Sequence, residues 1–218
     1  MIAAIAPILM LAQVGPSPGA IPLEPLPIPR PRQAETEAEA VDASVEQAKL
    51  VAQLTIDGHR AIVAGNPAEA LALFDRASIA AAAAGQLAVA GEIDIDRARA
   101  MMLLGRFEDA AALLAGLRTR FPDNADVWVH SAIAVRRMGN LAEAQRLIEE
   151  ADAVAPASPA VGLEAGTIAW IAGRDDAALR SWKSVVEVAP GSDEAEFARQ
   201  YLESARIERS HGEEPVGR

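Results

Sequence analysis

The sequence predicts an all-α repeat protein, and three observations carry that prediction. Alanine, the residue with the highest intrinsic helix propensity, occurs 49 times among 218 residues. Aromatic residues, which favour strands, make up only 4% of the chain. A period of 34 residues then runs through three separate columns: Pro122, Pro156 and Pro190; Gly105, Gly139 and Gly173; Ala110, Ala144 and Ala178. Columns that share one period mark a chain built by repeating one supersecondary unit.

The chain opens with Met1 to Ala12, which lacks any charged side chain. A spanning helix needs about 20 apolar residues, so residues 1–20 read instead as a signal-peptide-like segment that directs export. Residues 21–33 form a Pro-rich linker. Seven of the 14 prolines fall between Pro16 and Pro31, and residues with fixed φ and no N–H donor predict an extended polyproline-II spacer. Residues 34–50 are expected to be an acidic helical extension, since Glu35 to Glu46 holds five acids and no base.

The repeating unit is clearest from Ala125 to Pro156. Trp128, Ala132, Val135 and Met138 recur at helical spacing, and Gly139 supplies the left-handed residue that ends a helix. Asn140 with Glu143 predicts a capping box for a second helix, whose apolar face is Ala144, Leu147, Ile148 and Ala151. Pro156 terminates it. Asn66, Pro67 and Glu69 predict the same start in an earlier copy. Alanine at 110, 144 and 178 lets helix backbones approach closely where they cross.

Trp128, Ala132, Gly139, Ala144, Ile148, Ala151 and Pro156 together resemble the tetratricopeptide repeat family. Gly166, Gly173, Ala178, Trp182 and Pro190 carry the resemblance into the next copy. Ala98, Gly105, Ala110, Leu114 and Pro122 carry it into the one before, and Gly58, Gly65, Ala70, Phe74 and Ala77 fit more loosely. The resemblance implies a right-handed superhelical solenoid of about four helix-turn-helix repeats plus a C-terminal capping helix. Its expected span is 51–208, with repeats at 51–84, 91–122, 125–156 and 159–190 and a cap at 192–206. A polar tail, 209–218, is expected to be disordered. Gly65 precedes Gly105 by 40 residues, so six extra residues around Ala80 to Gln86 should lengthen the local helices.

No catalytic pattern accompanies the repeats. Absent cysteine excludes disulfides, thiolate zinc sites and thiol nucleophiles. His59, His130 and His211 lie in separate segments, and no phosphate-binding, Ser-nucleophile or dinucleotide motif occurs. Asp94 and Asp96 read as a solvated acidic face, and Asp123 with Asn124 as a helix cap rather than a calcium site. The net charge of −11 disfavours nucleic acid. No enzyme activity, cofactor or metal is therefore expected, and no stable membrane span once the signal is cleaved.

The resemblance implies instead that the first helices of successive repeats line a concave groove for a protein or peptide partner. Its columns are held by His59 and Ile62, then Arg99 and Met102, then Val129, Ile133, Arg136 and Arg137, then Thr167 and Trp170. Arginine pairs bidentately with carboxylates, and Trp and Arg are enriched at binding hot spots. Trp170 either faces the groove or fills space left by Gly162 and Gly166. The expected function is a non-enzymatic scaffold or adaptor of the bacterial cell envelope, periplasmic or secreted, that holds an extended or acidic segment. Retention at the inner membrane by an uncleaved signal is the alternative location. Self-association through the acidic N-terminal helix or the end repeats is the alternative role, with a homo-oligomer as its product.

Overall fold

The computed structural model describes residues 31–212, with side chains from 39 to 208. The signal-like segment, most of the Pro-rich linker and residues 213–218 of the tail lie outside the described residues. The chain divides into two units, Met1–Ala40 and Val41–Arg218. Described residues of the first unit, 31–40, are helical. The second unit carries the repeats.

Nine helices are present among the described residues: α1 (Pro31–Val63), α2 (Pro67–Ala83), α3 (Leu87–Leu103), α4 (Phe107–Arg120), α5 (Ala125–Arg137), α6 (Leu141–Val154), α7 (Pro159–Ile171), α8 (Asp175–Val188) and α9 (Asp193–Gly212). Two kinds of connection join them. Within a repeat, a glycine adopts positive φ, as at Gly65 (77°), Gly105 (74°), Gly139 (86°) and Gly173 (69°). Between the later repeats, Pro122, Pro156 or Pro190 follows the helix C-cap at Phe121, Ala155 or Ala189. There the chain turns because proline cannot extend the helix.

One junction departs from this alternation. Between α2 and α3 the turn is made by Gly85 at φ 72°, closed by Gln86 N donating to the Ala81 carbonyl at 2.9 Å. It is the within-repeat turn used between repeats. Both flanking helices reach 17 residues, against 13 or 14 in α4 to α8. The six extra residues are thus absorbed as longer helices, as the glycine spacing predicts.

The core follows a volume rule. At one register each second helix carries a large residue, Phe74, Leu114, Ile148 or Trp182, and all four are buried. At the matching position each first helix carries Gly58, Ala98, Ala132 or Gly166. The two aromatic rings fall opposite the two glycines and the two aliphatic side chains opposite the alanines. A Cβ on Gly58 would stand 2.5 Å from the Phe74 ring, and one on Gly166 would overlap the Trp182 indole. Close packing leaves no room for large against large. The space beside Gly162 and Gly166, offered above to Trp170, is filled by Val185 and Trp182.

The helix starts are mixed. Asn140 Oδ1 accepts from Glu143 N at 3.1 Å, and Asn124 Oδ1 accepts from Asp126 N at 3.0 Å. The Glu143 side chain instead meets Arg146, so only half of the predicted box forms. Asn66 makes no side-chain cap bond, contrary to expectation, and Pro67 begins that helix without one. Ser192 Oγ caps α9 through Ala195 N at 3.1 Å. Helix α9 continues to Gly212, beyond the expected end at Arg206, so residues 209–212 are helical rather than disordered.

Asp94 also departs from expectation. It is buried at 6% exposure, where a solvated face was predicted. Its Oδ1 accepts from Ser78 Oγ at 2.6 Å and Arg97 Nη1 at 2.7 Å, while Arg97 Nε reaches Asp75 at 2.6 Å. The physical reason is the α2–α3 packing, which turns this face of α3 toward α2 and leaves the carboxylate to be satisfied by protein donors.

Candidate partner-binding surface

The first helices of the repeats adjoin one another. Helix α1 meets α3, where His59 Nε2 lies 2.8 Å from Asp96 Oδ2. Then α3 packs on α5, α5 on α7 and α7 on α9. Among the described residues α2, α4, α6 and α8 show no comparable packing on each other. First helices therefore share one continuous wall, and second helices occupy the other side.

The residues predicted to line this wall have different fates. His59 is exposed, with its imidazole edge against Phe74 at 5.2 Å between ring centroids and its Nε2 at Asp96. Arg99 is exposed and pairs with Asp96 at 3.1 Å, an exposed pair of little energetic weight. Ile62, Met102 and Ile133 are half-buried against the core. Val129 is buried, so the wall does not present it. Thr167 is half-buried and donates its hydroxyl to the Leu163 carbonyl.

Arg136 is already engaged. Its Nε and Nη2 reach Glu164 Oε1 and Oε2 at 2.6 and 3.1 Å, with side-chain exposures of only 16% and 8% for the pair. Burial pushes the Glu164 carboxyl above its ordinary value, and the Arg136 guanidinium opposes that push. The pair braces α5 against α7. Arg137 lies with its guanidinium carbon 4.8 Å from the Phe107 ring centroid. Of the three predicted arginines, Arg136 is thus a strut, Arg137 stands over a ring, and Arg99 is on the open surface. Nearby, burial holds the His130 imidazole below its usual value, and its Nδ1 lies 2.7 Å from the Asp126 carbonyl oxygen.

Two groups of wall residues escaped the sequence reading. Val63, Leu103 and Ile171 each stand two positions before a turn glycine, and they are 90%, 61% and 50% exposed. Arg137 occupies the same position in the third repeat. The signal was present, because the turn glycines fix the register, but the column lies two residues past the core column of Ala61, Met101, Val135 and Ala169. The second is Tyr201, which extends an aromatic row from Trp170, a predicted wall residue, and Trp182, a predicted core residue. Trp170 lies 5.8 Å from Trp182, which lies 5.3 Å from Tyr201 of α9, measured between ring centroids. Tyr201 gave no sequence signal, since α9 falls outside the repeat period.

Among the described residues no group of His, Asp or Glu is placed to hold a metal, and no helix is long and apolar enough to cross a membrane. What the surface offers is contact: exposed apolar side chains, scattered ion pairs and a broad helical wall.

A family model for the tetratricopeptide repeat matches residues 61–133 and 101–165. No curated protein matches the chain in sequence. Among solved structures, the MamA RS-1 ArsTM double mutant superposes with a TM-score of 0.53 at 15% identity, over 73% of this chain and 85% of its own. A tetratricopeptide repeat protein from Parabacteroides merdae gives 0.52 at 12% identity, over 73% and 61%. The type III secretion translocator chaperone SycD of Yersinia enterocolitica gives 0.50 at 16% identity, over 55% and 93%. At such identities the likeness is one of fold. With the 34-residue period, the positive-φ glycines and the paired helices, the match establishes that this chain is a tetratricopeptide repeat protein.

Proposed function

We propose that the chain is a non-enzymatic scaffold that holds an extended segment of another protein along its first-helix wall. The observation that carries this reading is the exposed column of Val63, Leu103 and Ile171, which recurs at one register on α1, α3 and α7, with Arg137 at that register on α5. Large apolar side chains left in water at a recurring position favour a partner that follows the repeat. An acidic segment would find Arg99 and Arg137 on this wall, but not Arg136, which Glu164 already holds. Export to the bacterial envelope belongs to the same proposal and rests on the uncharged Met1–Ala12 segment.

Affinity capture from envelope extract tests the scaffold reading. Arg99→Glu and Leu103→Glu baits should recover a wild-type partner in sharply reduced yield, while Ala112→Glu on the second-helix side should not. Equal recovery by all baits would reject the wall as the docking surface. Self-association is the second reading, favoured by Val41 and Val45, which stand exposed one turn apart on α1. Light scattering showing a mass that rises with concentration, abolished by Val41→Glu/Val45→Glu, would support it.

A further inference from the structure

The C-terminal end of the wall contains a pocket whose chemistry differs from the rest. Thr167 and Trp170 of α7, Trp182 of α8, and Tyr201, Ser204, Ala205 and Glu208 of α9 line an open cavity of about 210 Å³. Trp182 forms the floor: it is buried, and its Nε1 donates to the Leu163 carbonyl at 3.2 Å. Trp170, half-buried, and Tyr201, 38% exposed, rise beside it. Their planes are inclined to Trp182 by 42° and 53°, so the three rings enclose space rather than stack upon one another.

The lining holds three aromatic rings, a carboxylate and no basic group. Thr167 directs its hydroxyl to a backbone carbonyl, and Arg206, the nearby cation of α9, turns to Glu203 with contacts of 2.8 and 3.0 Å. Among the described residues no basic side chain pairs with Glu208. Aromatic faces attract cations through their quadrupole, and a carboxylate at the mouth adds a hydrogen-bonding counter-charge. A planar guanidinium satisfies both, because it stacks on a ring while its N–H groups reach a carboxylate. The chain's net charge of −11 favours approach of a basic segment.

We propose that this pocket receives an arginine side chain of the segment docked on the wall. The inference rests on the scaffold reading above and adds the chemistry of one partner residue. It places a basic residue at the C-terminal end of the groove, whatever the remainder of the segment contains.

The test uses the full chain and the pentapeptide acetyl-Gly-Ser-Arg-Ser-Gly-amide, titrated to about 10 mM by tryptophan fluorescence and calorimetry, since a single anchoring side chain binds in the millimolar range. Peptides with citrulline, the neutral isostere, and with lysine replace the arginine one at a time. The arginine peptide should saturate and bind about tenfold more tightly than the citrulline peptide. Trp170→Leu, Tyr201→Leu and Glu208→Gln should each weaken it several-fold with helicity unchanged by circular dichroism, and Ala112→Ser, at an exposed position of the second-helix side, should have no effect. Absence of saturable binding, equal binding of the citrulline peptide, tighter binding of the lysine peptide, or unchanged affinity in all three pocket variants would each overturn the proposal. The capture experiment turns on Arg99 and Leu103 and this one on Trp170, Tyr201 and Glu208, so failure of either is separately visible.

Discussion

Replacing Arg136 by alanine would leave the Glu164 carboxylate buried without its guanidinium partner. Two charge-assisted hydrogen bonds, at 2.6 and 3.1 Å, would be lost. Each such bond contributes about 1.5–3 kcal/mol, and with both side chains under 20% exposed there is little solvent screening to discount. Removing one partner of a buried pair costs about 3–5 kcal/mol in general, which agrees with that sum. The loss should depend on pH. A carboxyl whose pKa is raised by burial binds its proton more tightly in the folded chain than in the unfolded one. Stability therefore falls as pH rises from the unfolded pKa through the folded one. Without Arg136 the folded pKa climbs further and that window widens. Urea unfolding followed by circular dichroism should show the full loss at pH 7 and a much smaller one near pH 4. The double variant Arg136→Met/Glu164→Leu should recover most of the stability, because it removes both charges and keeps the volume. A loss below about 1 kcal/mol at pH 7, or equal losses at both pH values, would refute the strut.

Other perturbations probe separate parts of the account. Ala144→Leu enlarges a fully buried small residue and should cost about 1–3 kcal/mol in urea unfolding. Gly105→Ala should cost about 1–2 kcal/mol through its positive φ alone, since nothing stands near its added Cβ, whereas Gly58→Ala should act by driving into Phe74 and perturb near-ultraviolet circular dichroism as well. Burial holds the His130 imidazole below its ordinary value, so the unfolded chain binds more protons just below pH 6.5 and stability falls as pH drops there. His130→Gln should remove that part of the pH dependence between pH 5 and 7, measured as the shift of the urea midpoint.

The fold was legible because its devices are local. Glycine at positive φ, proline after a C-cap and a small residue at each helix crossing all leave marks at fixed spacing, and each recurs. The first junction was legible only as a change of spacing. That a glycine turn replaces the proline turn there follows from Gly85, one residue among a run of alanines. The wall was less legible, because charge pairing joins residues far apart in sequence. Arg136 and Glu164 are 28 positions apart, and Ser78 and Asp94 are 16 apart across a helix pair. Their side chains are ordinary for exposed helix faces, and only the packing of α5 on α7 and of α2 on α3 shows that they are buried. Trp170 stands one residue past the column held by Ala169 and is half-buried beside Trp182, while Tyr201 at the far end of the row belongs to the cap, where no period operates.

Site-specific photo-crosslinking tests the docking wall most directly. Benzoylphenylalanine placed at Arg99, Leu103 or Thr167 would report on the first-helix side, and at Ala112 or Ala142 on the second-helix side. Wall positions should form adducts with one contiguous partner segment, and second-helix positions should form none. Adducts confined to Ala112 and Ala142, or spread equally over both sides, would contradict the docking wall.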